Sequence, residues 1–229
     1  MKFFIGKLIQ DINQGLRSLI FPQICIMCGI RPEDICSDCL RIWHRPAAIT
    51  RFDKVLSASV ATYDSQVARV VLKAKEERNK CAQEIIASSL FKAIQLLKTS
   101  EVSDVVLVPI PSTPQAIRKR GESFLHPILQ LVIEMASHNG EKWHWRELLI
   151  HSKKVRDQAG LTSQQRQANL KGVFRLREGV REIRPIIVVD DVMTTGATMR
   201  NAISALNERK MTVLGAATAC ASSHQLLIR

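Results

Sequence analysis

The sequence predicts an α/β fold: a mostly parallel sheet flanked by helices, with a small four-cysteine module on its N-terminal side. Three observations carry that expectation. Short apolar runs at 104–109 and 186–190 alternate with longer segments of helical periodicity, the order expected of a parallel sheet covered on both faces. Four of the six cysteines fall into two Cys-x-x-Cys pairs, Cys25 with Cys28 and Cys36 with Cys39. Two adjacent acids, Asp190 and Asp191, close the second apolar run, at the strand end where open α/β sheets hold their ligands.

Along the chain, Phe4, Leu8, Ile12, Leu16 and Leu19 recur at helical spacing, so residues 3–21 read as an amphipathic helix that packs on its own domain or touches a membrane surface. The cysteine pairs follow. A Cys-x-x-Cys turn brings two thiolates onto one metal, and two such turns complete a tetrahedral shell; Gly29 and Pro32 supply the turns. A zinc ion held by Cys25, Cys28, Cys36 and Cys39 would be structural, with no coordination position open. Two disulfides or an iron–sulfur cluster would use the same ligands. The apolar opening of the chain is broken by Lys7 and Asp11 and no cleavage site follows, so no export signal favours disulfides.

Trp43 and His44 lead to Pro46, where a linker is expected, dividing the chain into 1–50 and 51–229. Residues 55–62 read as a strand, 65–75 and 81–97 as helices. Residues 104–109 form a buried strand ended by Pro109, and 123–137 a helix. A short strand within 141–151 would place Trp143 and Trp145 on one face. The strand at 186–190, a helix at 197–209 and a last strand at 213–219 complete the order. Cys81 and Cys220 lie in apolar patterns and read as buried free thiols.

The chain has 229 residues, 46% of them hydrophobic, enough for a core and against disorder. Its apolar runs fall short of the ~20 residues that cross a bilayer. No transmembrane segment is therefore expected, and the cytoplasm is the expected location. Thirty-three Lys and Arg oppose 21 Asp and Glu, a formal charge of +12 that favours polyanionic partners. Arg118-Lys119-Arg120, Lys153-Lys154 with Arg156, and Arg166 to Arg184 place much of this charge in the second half.

The chemistry concentrates at Asp190-Asp191-Val192-Met193-Thr194-Thr195-Gly196-Ala197-Thr198. Thr194, Thr195 and Thr198 offer hydroxyls, Gly196 lets the backbone come close, and the helix opening at Ala197 aims N–H groups at an anion. The two acids suit vicinal hydroxyls or the waters of a divalent cation. A phosphate at one end and a diol at the other describe a ribose 5-phosphate. A strand, an acid cap and an ordinary helix start are the plainer reading. The stretch resembles the signature loop of the type I phosphoribosyltransferases, which bind 5-phosphoribosyl 1-pyrophosphate (PRPP) with magnesium. That resemblance implies that Asp190 and Asp191 contact the ribose hydroxyls and that the 194–198 loop, Ala197 included, wraps the 5-phosphate.

Two further constellations stand upstream. Val108-Pro109-Ile110-Pro111 leads to Arg118-Lys119-Arg120-Gly121, whose Arg118 and Arg120, with Lys73 or Lys75, would face a departing pyrophosphate. Residues 156–161, with Arg156 and Gln158, followed by Arg166-x-x-Asn169 and Lys171-Gly172, read as a flexible loop over the site. No general base for an acceptor stands out. Cysteine knuckle, Val-Pro-Ile-Pro, Arg-x-Arg-Gly, Gln-x-x-Leu with Arg-x-x-Asn, and the Asp-Asp loop together resemble the ComF family, in order and over nearly the whole chain. The resemblance implies a zinc-ribbon front and a type I phosphoribosyltransferase fold. It also implies a cytoplasmic role in DNA uptake during natural competence, with single-stranded DNA and competence-machinery proteins as partners. An active pentosyltransferase that transfers phosphoribose to a nucleobase or other small acceptor is the alternative. The family commonly has Arg-Gly-Phe-Asn where this chain has Arg120-Gly121-Glu122-Ser123, which puts that loop's role in question.

Overall fold

The computed structural model describes residues 24–30, 34–52, 55–98, 102–152 and 172–222. The amphipathic segment 3–21, Pro32, and the 156–161 loop with Arg156, Gln158, Arg166 and Asn169 lie outside the described residues.

A short helix, α1 (Ser37–Trp43), follows the second cysteine pair. Then come β1 (Ala48–Phe52), β2 (Val55–Ser59) and β3 (Ala61–Thr62), and the helices α2 (Ser65–Glu76) and α3 (Lys80–Leu97). The middle of the chain gives β4 (Asp104–Pro109), α4 (Pro114–Arg120), α5 (Leu125–His138), β5 (Lys142–Trp145) and β6 (Leu149–His151). β7 (Phe174–Leu176), β8 (Ile186–Met193), α6 (Ala197–Asn207) and β9 (Val213–Ala221) complete it.

Seven strands form one sheet in the order β1-β2-β9-β8-β4-β5, with β3 also on β9. Every pairing in it is parallel except β1 with β2. β6 and β7 make a separate antiparallel hairpin. The strand pleat sends alternate side chains to opposite faces. Val105, Leu107, Ile187 and Val189 therefore join one core with α2, α3 and α5, while Val106, Val108, Ile186 and Val188 join a second with α6 and the hairpin. Burial on both faces is what the unbroken apolar runs anticipated.

The helix starts are set by local chemistry. Asp64 accepts the N–H groups of Gln66 and Val67, Asn79 that of Ala82, and Thr113 that of Ala116, with Pro114 in the first turn of α4. The cysteine module shares the first core rather than standing apart: Cys25, Met27, Cys36, Cys39 and Trp43 belong to the same cluster as Val70, Ile86 and Leu90. Arg69 donates to the Met27 carbonyl at 3.2 Å and Lys92 to the Trp43 carbonyl at 3.0 Å.

Several local readings are refined. The 55–62 strand is interrupted at Val60, and the linker after Pro46 holds a further strand, β1. The basic turn 118–120 is the last turn of a helix closed by left-handed Gly121 (φ 84°). Segment 141–151 holds two strands, and Trp143 and Trp145 do share a face, each against the first core. Cys220 is buried, but Cys81 is only half-buried.

Candidate functional site

The sheet sets the site. Val188 and Val189 of β8 pair with Val108 and Pro109 of β4, and Asp190 pairs with Thr218 of β9. The acids thus stand at the carboxyl end of a central strand, beside the corner where β4 stops at its prolines. Asp190 is half-buried and Asp191 is 4% exposed. The Asp191 N–H donates to Asp190 Oδ1 at 3.0 Å, and the Cys220 thiol donates to the Asp191 carbonyl at 3.6 Å. Burial, and then the neighbouring Asp191, raise the Asp190 carboxyl well above the usual carboxylate range, against the pull of Lys75.

After β8 the chain turns at Gly196, which is buried and left-handed (φ 72°), a conformation that glycine adopts without cost. α6 starts at once, and Arg200 makes its first backbone bond, to Gly196. The N–H groups of its first turn have no carbonyl partner within the helix. Thr194, Thr195 and Thr198 are all exposed around them. The loop is braced from outside: the Ser222 hydroxyl donates to the Thr194 carbonyl at 2.8 Å, and the Arg200 guanidinium to the Thr195 carbonyl at 3.1 Å. An anion of phosphate size meets hydroxyls, backbone donors and the positive end of a helix here.

The upstream cations divide. Lys73 turns to Glu77, one helical turn away, at 2.8 Å. It is Lys75, two residues on, whose ammonium lies 2.6 Å from Asp191 Oδ2. The same ammonium sits 5.2 Å from the centre of the Phe124 ring. Glu76 holds Lys119 at 2.6 Å and Arg120 at 3.2 Å, and Arg78 reaches Glu122 at 3.4 Å and donates to the Arg120 carbonyl. Arg118 is exposed, with no ion-pair partner among the described residues. The end of α2 therefore touches both the aspartate pair and the basic turn. Sequence reasoning named Lys75 only as an alternative to Lys73 and missed Glu76 and Phe124. The local signal was the run Lys75-Glu76-Glu77-Arg78, but nothing in its spacing says which neighbour each charge meets.

Glu122 and Ser123, which depart from the resembled pattern, have partners of their own. Glu122 pairs with Arg78, and the Ser123 hydroxyl lies 3.0 Å from that of Ser112. The aromatic of this turn arrives two places later, as buried Phe124.

The cysteine module is a candidate metal centre. All four Sγ atoms lie within 4.8 Å of one another, and those of Cys28 and Cys36 are 3.9 Å apart. Tetrahedral zinc–sulfur bonds of 2.3 Å would put sulfurs about 3.8 Å apart, so the set fits zinc. The N–H groups of Cys28 and Cys36 both donate to Cys25 Sγ at 3.5 Å. Burial works against a Cys25 thiolate, yet the N–H groups of Cys28, Cys36 and Met27 outweigh it and bring the thiol down to about 6. Burial and the neighbouring sulfurs push Cys39 up.

A cavity of about 930 Å³ lies away from the aspartates, at the amino end of β8 and β9, and includes Arg175, Arg181, Arg209 and Lys210 with Glu178 and Glu208. No described helix is long and apolar enough to cross a membrane.

Residues 117–227, just under half the chain, match the family described as phosphoribosyl transferase domain. No curated protein matches significantly. Among solved structures, adenine phosphoribosyltransferase from Saccharomyces cerevisiae is similar at 12% identity and a TM-score of 0.35, over 65% of this chain and 73% of that one. Orotate phosphoribosyltransferase from Aeropyrum pernix is similar at 16% identity and a TM-score of 0.36, over 78% of each chain. A further adenine phosphoribosyltransferase gives 11% identity and a TM-score of 0.37, over 78% and 86%. Superpositions this loose carry no argument about the site. The chain has a mostly parallel α/β fold with a four-cysteine module in front, and its residues 117–227, which hold both aspartates and the threonine loop, are similar to the phosphoribosyl transferase domain family.

Proposed function

We propose that the chain binds PRPP at the carboxyl end of β8. The observation that carries this is the joining of three things within nine residues: two acids, an exposed threonine loop, and a left-handed glycine that opens a helix. In this reading the 194–198 loop and the first turn of α6 hold the 5-phosphate, Asp190 and Asp191 the ribose diol, and Arg118 and Arg120 the pyrophosphate end. Magnesium enters with PRPP and neutralises the pyrophosphate. Lys73, expected at the pyrophosphate end, pairs instead with Glu77, and in this reading Lys75 is the cation that α2 contributes, beside Asp191.

The role we infer is that of a ComF-like, cytoplasmic protein of DNA uptake in natural competence, binding single-stranded DNA and other proteins of that machinery. The formal charge of +12 supports a polyanionic partner, since one PRPP needs fewer cations, and the groove with Arg181, Arg209 and Lys210 offers a second basic surface. A zinc ion in the cysteine module would then be structural.

An active phosphoribosyltransferase is the second reading, favoured by the domain match over 117–227. There the protein would hold phosphate and diol still while the bond from C1 to pyrophosphate opens, and would stabilise the charge that develops. Pyrophosphate release from magnesium–PRPP, run alone, with nucleobases and with single-stranded DNA, separates the two. Release that depends on one acceptor and is lost in Asp190→Ala/Asp191→Ala protein supports the transferase. Binding of PRPP without release supports the DNA-handling role.

A further inference from the structure

We propose that Glu76 is an internal competitor for the pyrophosphate end of the ligand, so that this chain recognises the ribose 5-phosphate group and gains little from the 1-pyrophosphate. The proposal rests on the reading of the β8 site as a PRPP site and goes beyond it by naming the ligand class.

The argument is one of position and charge. Lys75 and Glu76 are consecutive at the end of α2. Lys75 touches Asp191, at the diol end, and Glu76 touches Lys119 and Arg120. The basic turn and the aspartates are thus joined through neighbouring side chains of α2, and in the PRPP reading above the basic turn takes the group leaving C1. Three of the four cations there are already answered, and Arg118 has no ion-pair partner among the described residues. Glu76 bridges two of them, and Glu122 takes Arg78. Arg120 is the least exposed of the set, at 17%, so its pairing is the least screened by water. The hydrogen bond from the Lys119 ammonium holds the Glu76 carboxylate below its ordinary range, so it stays charged at neutral pH.

At the 5-phosphate end, Thr194, Thr195 and Thr198 are exposed. A ligand's 5-phosphate meets hydroxyls and a helix start there, whereas its pyrophosphate must displace a carboxylate from Lys119 and Arg120. Ligands of the ribose 5-phosphate class, such as ribose 5-phosphate itself or a nucleoside 5-monophosphate, lose little by lacking the pyrophosphate.

The test is calorimetric titration of the full chain with magnesium–PRPP and with ribose 5-phosphate, in wild type and in Glu76→Gln. The wild-type affinities are expected to lie within about tenfold of each other. Glu76→Gln should strengthen PRPP by about tenfold and leave ribose 5-phosphate unchanged. Glu122→Gln, which frees only Arg78, should give a smaller gain in the same direction. A wild type that prefers PRPP by a hundredfold or more, or a Glu76→Gln protein in which PRPP weakens (as it would if Glu76 held the ligand's magnesium), overturns the proposal. Binding of neither ligand to either protein overturns the underlying site assignment instead, and the proposal with it.

Discussion

The ammonium of Lys75 lies 2.6 Å from Oδ2 of Asp191, a carboxylate whose side chain is only 5% exposed. The approach is an ion pair rather than an aligned hydrogen bond, and it is the contact that answers the charge on that buried oxygen. It ties the end of α2 to the end of β8, two elements separated by more than a hundred residues, and so fixes one wall of the site to its floor.

Removing the lysine leaves a carboxylate buried and alone. Lys75→Met is expected to destabilise the fold by about 2 kcal/mol, the low end for a buried pair because the lysine itself is partly exposed. Adding Asp191→Asn to that variant should recover about half of the loss. Urea unfolding of the single and double variants checks both; equal stabilities of wild type and Lys75→Met would make the pair incidental.

The metal centre makes its own prediction. Purified protein should carry one zinc per chain, and Cys39→Ser should lose it. Since the cysteines share a core with Val70 and Ile86, metal loss should lower the melting temperature by about 5 °C or more. Elemental analysis beside a thermal melt reads both quantities. Folded protein that carries no metal would contradict the assignment.

Much of this was legible in the sequence, for reasons that particular residues make plain. β4 over 105–109 and β8 over 186–189 are buried on both faces, so those positions are apolar and the runs stood out. α2, α3, α5 and α6 each carry an apolar stripe long enough to show the helical period. β1 was not legible, because it pairs antiparallel at the sheet edge, where Ala48, Ile49 and Arg51 are exposed and Thr50 is buried. α4 was read as a turn because it buries nothing and is set only by Thr113, Pro114 and Gly121. The aspartates and the threonine loop are local in sequence and could be read together. Lys75 and Glu76 belong to the site only because the fold brings the end of α2 against β8 and the basic turn, and no local pattern records that.

Glycine at position 215 is required by space. A Cβ there would stand 2.6 Å from the Leu56 carbonyl oxygen and 3.0 Å from a Leu97 methyl, at the crossing of β9, β2 and α3. Gly215→Ala should cost about 2 kcal/mol through forced separation of β2 from β9, seen as a lower urea midpoint. A neutral substitution would mean that the two strands are free to separate.

Acid sensitivity should come from Glu182. Hydrogen bonds from Arg184 lead, with Arg146 adding to them, and together they outweigh burial and hold this carboxylate at about 2, against an ordinary 4.5. Its folded value lies below its unfolded one, so its contribution is complete above the unfolded value and is lost as pH falls from about 4.5 towards 2. Glu182→Gln should therefore be less stable than wild type at pH 7, by on the order of 2 kcal/mol, and the gap should close below pH 3. A gap that does not change with pH would place the effect in packing.

The most direct test of the central claim is calorimetric titration of magnesium–PRPP into wild type and into Asp190→Asn, with circular dichroism to show that both are folded. The account predicts saturable binding to wild type and a loss of about tenfold to a hundredfold in the variant, the range for a buried polar group left without its hydrogen-bond partner. Equal affinity in the two proteins, or no binding to folded wild type, would contradict it.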